Sequence, residues 1–253
     1  MKNIYRICIL LSLCLSVFFQ TVQAQTKQDA DAAYAKEEYQ KASVIYSQLL
    51  QKGGKSAVLY FNLGNCYYRM DDMTKAVLNY QRAKQLDPGN KKIRHNLKLA
   101  QSKVSDQIVP KSEMFFVTWT KAWIGTKTAD GWASCAVTVF ILLLAGVAVY
   151  LFCTKLWLRK IGFFGALLFL LLTIVFNIFA YQQKKKITAT PDAVLTASVV
   201  EVKNSPVNTA AKLFELHEGV TVTVIDNTMD EWKEIELDDG RTGWVRSSQL
   251  ELV

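Results

Sequence analysis

The side chains that most often carry catalysis or bind metals are few in this sequence and lie far apart. The two histidines, His95 and His217, fall in different segments of the chain. No group of cysteines and histidines has the spacing of a metal site, and no glycine-rich loop follows a predicted strand as a phosphate-binding loop would. No serine has a base nearby in a known catalytic motif. The sequence therefore predicts a protein that is not an enzyme and that holds no metal and no cofactor.

Three hydrogen-bond donors form a candidate binding site. Asn62 and Asn65 lie on one predicted helix, and Lys92 lies on a later one. Amide N–H groups and an ammonium are suitable donors to a partner's carboxylate. Asparagines at such positions also occur where no carboxylate binds, and Asp31 stands where an earlier copy of the same pattern would need an asparagine. Both interpretations stay open.

Two tryptophans near the end of the chain, Trp232 and Trp244, are a second candidate site. Aromatic side chains line the grooves in which several small domains bind extended peptides. A groove for proline-rich peptides depends partly on an aromatic pair near the start of the domain. The predicted start here, Val194 to Val202, contains no aromatic residue, which argues against such a groove. The alternative is that Trp244 packs inside the fold, and the sequence does not choose between the two.

The bulk composition favours a membrane over a nucleic acid as the non-protein partner. Hydrophobic residues make up 51% of the chain, and the formal net charge is +8. A basic excess suits nucleic-acid binding, but these lysines and arginines are spread out or cluster beside apolar runs, where they contact lipid headgroups. We therefore expect no nucleic-acid partner.

Residues 1–24 have the pattern of a secretory signal peptide. Lys2 and Arg6 precede a short apolar stretch, Ile7 to Phe19, and small residues stand at both recognition positions of Val22-Gln23-Ala24. The stretch is too short for a comfortable membrane span. We expect cleavage after Ala24 and export of the chain beyond it.

An internal repeat occupies residues 27–104. Residues 38–46 align with residues 72–80 at an offset of 34, which is the period of the tetratricopeptide repeat (TPR). Gly64 and Ala76 are small where two helices would cross closely, and a capping helix is predicted from Lys91. The stretch resembles TPR proteins. That resemblance implies a groove that binds proteins, in some cases through a terminal carboxylate.

Two apolar segments, residues 132–153 and 161–181, are predicted transmembrane helices. Each is close to the roughly 20 residues that cross a bilayer, and neither contains Asp, Glu, Lys or Arg. The loop between them, residues 154–160, is short enough to force an antiparallel hairpin. Residues 105–131 mix aromatics with lysines, which is typical of a juxtamembrane linker or of an amphipathic helix at the membrane surface.

Residues 187–253 alternate between apolar and polar side chains, as half-buried strands do. Val220, Val222 and Val224 show the alternation, and Asp238-Asp239-Gly240 is a turn signal. Nearly all of this segment resembles the bacterial SH3 family, most specifically at Trp232 to Ile235 and at Asp239 to Val245, which implies a small all-β barrel. The predicted fold class is therefore multidomain α and β: a helical TPR module, a two-helix transmembrane hairpin and an SH3-like barrel.

The order of leader, TPR module, hairpin and SH3-like domain resembles the BatE-like proteins of the Bat aerotolerance system. The resemblance implies a membrane complex with other Bat proteins, several of which carry von Willebrand A domains, and a role in tolerance of oxidative or envelope stress. We expect a membrane-anchored protein-binding scaffold. The alternative is an envelope sensor that binds cell-wall peptide through the SH3-like domain.

The charge pattern alone does not orient the predicted hairpin. Positive residues prefer the cytoplasmic side, and the chain carries them both in the loop 154–160 and directly after the second span at residues 184–186. The leader resolves this tie because a secretory signal exports the segment attached to its carboxyl end. We therefore expect a bacterial inner-membrane protein whose TPR and SH3-like modules both lie on the periplasmic side.

Overall fold

The computed structural model describes residues 26–189 and 191–253. Within these ranges the chain forms eight α-helices followed by seven β-strands. The helices are α1 Lys27–Ala35, α2 Tyr39–Gly53, α3 Ala57–Arg69, α4 Met73–Leu86, α5 Lys91–Gln101, α6 Phe115–Ile124, α7 Ala129–Phe152 and α8 Leu156–Ala189. The strands are β1 Asp192–Leu195, β2 Val199–Lys203, β3 Lys212–His217, β4 Thr221–Asp226, β5 Trp232–Glu236, β6 Thr242–Arg246 and β7 Leu250–Leu252. The predicted leader, residues 1–24, lies outside the described residues.

Polar caps set the starts of four of the first five helices. Thr26 caps α1 in a capping box with Asp29. Ser56, Asp72 and Asn90 each accept a hydrogen bond from a backbone N–H in the first turn of α3, α4 and α5, respectively. These side chains satisfy N–H groups that have no partner inside their own helix. Residues 27–101, here called the helical module, therefore divide into five helices.

The helices of this module cross closely at Gly64. A Cβ atom placed on Gly64 would lie 2.7 Å from two ring carbons of Tyr80, on the neighbouring helix α4. Tyr80 is 1% exposed. The prediction that Gly64 is small because two helices touch there is confirmed.

The helices α7 and α8 are long, apolar and antiparallel. Both are strongly apolar along most of their length, yet almost none of that length is buried inside the protein. By length and composition, both helices are able to cross a membrane. Their backbones approach closely at two glycines, since a Cβ on Gly162 would lie 2.8 Å from the Gly146 carbonyl oxygen. Small residues at a crossing are typical of helices that pack within lipid.

The structure corrects three predicted boundaries around this hairpin. Helix α8 begins at Leu156, so the predicted seven-residue loop 154–160 is wrong and the turn comprises residues 153–155. Helix α8 also continues through residues 187–189, which were predicted to open the β domain. The predicted linker 105–131 contains the whole of α6 and the first turn of α7. Lysine is a good helix former, so the basic residues at both ends of α8 extend the helix instead of ending it.

The strands form one antiparallel sheet in the order β3-β2-β6-β5-β4-β1-β7. Ile235 pairs with Gly243 and with Val224, so these residues share one face of the sheet. That face is buried, together with Val200, Val202 and Val245. The alternation of apolar and polar side chains therefore forms half-buried strands, as predicted, with the apolar residues on one face of the sheet.

The sheet and the helical module share one hydrophobic core. The buried cluster joins Ala76, Val77 and Tyr80 of α4 to Val194 and Leu195 of β1. Polar contacts surround it. Gln81 and Gln101 lie 3.3 and 3.4 Å from the Thr221 hydroxyl, and the Arg82 guanidinium donates to Glu251 at 2.7 Å. The sequence did not predict this shared core. It packs the helical module against the sheet, although the hairpin separates them along the chain.

Candidate functional site

The concave surface of the helical module holds two adjoining cavities, of about 190 and 180 Å³. We call them together the groove. Helices α1, α3 and α5 supply most of its lining. Its lining residues are Asp31, Tyr34, Tyr46, Asn62, Asn65, Tyr68, Arg69, Tyr80, Asn96 and Leu99.

A hydrogen-bonded cluster in the groove occurs twice, with an offset of 34 residues. In the first copy, the Tyr46 hydroxyl and the Asn62 amide both donate to Asp31 Oδ1, at 2.5 and 3.4 Å. In the second copy, the Tyr80 hydroxyl and the Asn96 amide both donate to Asn65 Oδ1, at 2.7 and 2.9 Å. Each cluster ties three successive helices together, so these polar residues have a structural role as well as facing the groove.

The two clusters differ in charge. Although burial opposes it, hydrogen bonds from Lys27 and Tyr46 lower the pKa of Asp31, so this residue is anionic at neutral pH. Asn65 occupies the equivalent place in the second cluster and is neutral. A partner's carboxylate would be repelled near Asp31 and accepted more readily near Asn65. The groove is therefore graded in charge along its length.

The structure brings together two of the three predicted carboxylate-binding residues. Asn62 and Asn65 line the groove, but the Asn62 amide already contacts Asp31 and Tyr46. Lys92 is exposed on α5 and lines neither cavity. The structure therefore places Asn62 and Asn65 in the groove and Lys92 outside its two cavities, and a carboxylate held by all three stays a prediction.

A cation that sequence reasoning missed does line the groove. Arg69 is exposed at the end of α3, and its guanidinium lies 5.9 Å from the centre of the Tyr39 ring. A hydrogen bond with Tyr34 raises the pKa of Arg69, so it stays charged. Asn96 was missed as well, although it follows Asn62 by the 34-residue period. Arg69, Tyr34, Tyr68 and Asn96 give one end of the groove a positive, aromatic and amide-rich lining.

The two predicted tryptophans lie on the same face of the sheet, diagonally across neighbouring strands. Trp232 pairs with Arg246, and Trp244 pairs with Glu234. This face lies opposite the buried face of Ile235 and Val245. Trp232 is nevertheless 7% exposed, and the Arg246 guanidinium lies 5.6 Å from its ring centre. Trp244 is half-buried, so the two tryptophans expose little ring surface, and their role in binding a peptide stays a prediction.

Comparison with known families supports the assignment of the helical module. Residues 57–90 match the family model of the tetratricopeptide repeat. The match covers α3, α4 and the turn that leads into α5, which contribute Asn62, Asn65 and Arg69 to the groove. A TPR in this position indicates a surface for protein–protein interaction. No curated protein matches the chain.

Proposed function

We propose that this protein is a membrane-anchored scaffold that holds a partner protein in the groove of its TPR module. The observation that carries the proposal is the groove itself, which adds an exposed cation and half-buried tyrosine and asparagine side chains to a fold that commonly binds peptides. The partner contributes an extended segment with a negative group near Arg69. We propose no catalytic role, and among the described residues no three potential metal ligands lie close together.

Membrane anchoring is supported by the exposure of α7 and α8. A helix this apolar in the core of a soluble protein would be buried by its neighbours, whereas most of the surface of these two helices is uncovered. The aromatic residues of α6 support the same conclusion, because Phe115 is 85% and Trp119 64% exposed. Aromatic side chains of this kind are enriched at membrane interfaces.

A periplasmic location for both soluble modules is the second part of the proposal. The hairpin returns the chain to the side it came from, and a shared core requires the TPR module and the sheet to lie on one side. The predicted leader at residues 1–24 supports export. The turn at residues 153–155 then lies in the cytoplasm with Lys155, as the preference of positive residues for that side favours.

The order of the segments along the chain supports a more specific family assignment. We propose that the sheet is a bacterial SH3-like domain, that the chain is BatE-like, and that its partners include other Bat proteins with von Willebrand A domains. The aerotolerance or envelope-stress role follows from that resemblance. An envelope sensor that binds cell-wall peptide through Trp232 and Trp244 is the alternative, but a three-residue turn leaves little on the inner side to carry a signal.

Arg69→Glu is expected to weaken capture of the partner about tenfold, because it reverses the charge that faces the partner's negative group. Arg69 is exposed, so the loss of its contacts with Tyr34 and Tyr39 is expected to lower the melting temperature only slightly. Capture is measured by co-purification from gently solubilised membranes, with quantification of the partners by mass spectrometry. Lys52→Glu is the matched control, since Lys52 is an exposed lysine of α2 outside the groove. Equal capture by both variants and the parent protein would move the binding site away from the groove.

A further inference from the structure

Another cavity, separate from the groove, lies where the helical module, the hairpin and the sheet meet. Its volume is about 450 Å³, within the range of roughly 300–1,000 Å³ that small-molecule sites occupy. It is lined by residues of α4, α6 and the end of α8, by Asp192 at the start of β1 and by Val253, which follows β7. The cavity is separate from the TPR groove, with which it shares no lining residue.

The charged lining of this cavity is mainly positive. Lys84 of α4, Lys121 of α6 and Lys186 of α8 line it, against one acid, Asp192. Lys186 lies 3.8 Å from Asp192, and Lys121 forms an ion pair with Glu113. Glutamines from α4 and α8 add amide donors. A cation would be repelled here, whereas an anion with several acceptor oxygens would find both charge and hydrogen bonds.

Lys84 is the lysine of this cavity that a bound anion would stabilise most. It is half-buried, and among the described residues it makes no hydrogen bond or ion pair. Burial and, secondly, the nearby Lys186 lower the pKa of Lys84, while Asp192 and Asp238 act in the opposite direction. A cation in such a place is destabilised unless an opposite charge joins it. A bound anion would supply that charge.

The position of the cavity indicates where the anion comes from. It is lined by Gln182 and Gln183, the first polar residues after the apolar stretch of α8, and by Ile124 at the end of the aromatic helix α6. These residues lie where the hydrocarbon of a bilayer would give way to headgroups. At this depth, lysine ammonium groups are able to form charge-assisted hydrogen bonds with the phosphate of an anionic lipid.

We propose that this cavity binds a phosphate group, such as an anionic phospholipid headgroup presents. Lys84, Lys121 and Lys186 supply the charge, and the surrounding glutamine amides supply further hydrogen bonds. An occupied cavity would connect α4 to α8 through the bound phosphate and would fix the two soluble modules against the membrane surface. The soluble form of the same chemistry, a free phosphate monoester, fits the same residues.

The test uses the full-length protein in a neutral detergent, with two phosphate-bearing probes. Native mass spectrometry measures retention of phosphatidylglycerol, with diacylglycerol of the same chains as the lipid that lacks phosphate. Calorimetry measures binding of glycerol 3-phosphate in solution. Lys84→Gln is expected to lower the affinity for the bound probe about tenfold, because it removes a charge-assisted hydrogen bond. Lys84→Arg is expected to keep binding, since it keeps the charge.

Lys185→Gln is the matched control. Lys185 is an exposed lysine one residue from Lys186, and it does not line the cavity. Lys121→Gln provides a second change from the opposite wall of the cavity. Binding of phosphatidylglycerol alone, lost in the Lys84 and Lys121 variants, supports a lipid site, and lysine-dependent binding of glycerol 3-phosphate supports a soluble ligand. Equal loss in the Lys185 and Lys84 variants would mean general attraction to headgroups and would overturn the proposal, as would binding of neither probe.

Discussion

Gly64→Leu is expected to lower the free energy of unfolding of the helical module by about 1–2 kcal/mol. Replacing a helical glycine adds about 1 kcal/mol of helix stability. Overpacking a filled site costs about 1–3 kcal/mol and occasionally more. The overpacking term dominates here, because even the Cβ would lie 2.7 Å from the Tyr80 ring. Tyr80 has little room to move, since it is 1% exposed and its hydroxyl bonds to Asn65 at 2.7 Å.

The measurement for Gly64 is hydrogen exchange of the amides of α3 and α4 in the full chain. The variant is expected to exchange faster in both helices because their contact is disrupted. Gly53→Ala is the matched control: Gly53 also lies in a helix, but no atom lies within 4 Å of its added Cβ, so exchange should stay the same or slow slightly. Unchanged protection in Gly64→Leu would show that α3 and α4 do not cross at this residue.

Val194→Asp is expected to destabilise the TPR module and the sheet together, by about 3 kcal/mol or more. Val194 of β1 pairs with Thr221 and Glu251, and directly paired residues point to the same face. Thr221 and Glu251 contact Gln81 and Arg82 of the helical module, so Val194 faces that module too. It is 0% exposed, and an unpaired carboxylate in such a place is strongly unfavourable.

The two modules respond together only if they share a core. Val194→Asp is therefore expected to reduce hydrogen-exchange protection in α4 as well as in β1 and β4, while α7 and α8 keep theirs. Val199→Asp is the control within the same sheet, since Val199 is 50% exposed and its change should have little effect. Loss of protection in the strands with α4 unaffected would show that the modules are energetically independent.

Local patterns predicted the elements of this fold well. The 34-residue period identified the repeat that includes Gly64 and Tyr80, because a repeating pair of helices needs small and large residues at fixed places. Alternation of apolar residues such as Val222 and Val224 predicted strands. Lack of charge predicted two long apolar helices. Each of these signals arises within a short stretch of chain, where the sequence alone determines which side chains share a face.

The contacts between distant segments were not predictable in the same way. Val77 and Val194 each look like an ordinary core residue of their own module, and nothing in their local pattern indicates that they belong to one shared core. The cavity around Lys84 depends on that meeting. By contrast, Asn96 follows Asn62 at the repeat period, so its place in the groove was open to prediction. Lys92 was chosen for its charge and its place on the capping helix, and it lines neither cavity of the groove.

We propose that a hairpin anchors both modules on the outer side of one membrane. Compartment-specific reporters test it most directly: alkaline phosphatase, which is active outside the cytoplasm, and a fluorescent protein, which matures inside it. Each is fused after Val253 of the full chain and, separately, after Thr154 of a chain shortened at the turn. We expect phosphatase activity without fluorescence at Val253, and fluorescence without phosphatase activity at Thr154. Fluorescence at Val253 would contradict the account, because the sheet and the TPR module that packs against it would then lie in the cytoplasm.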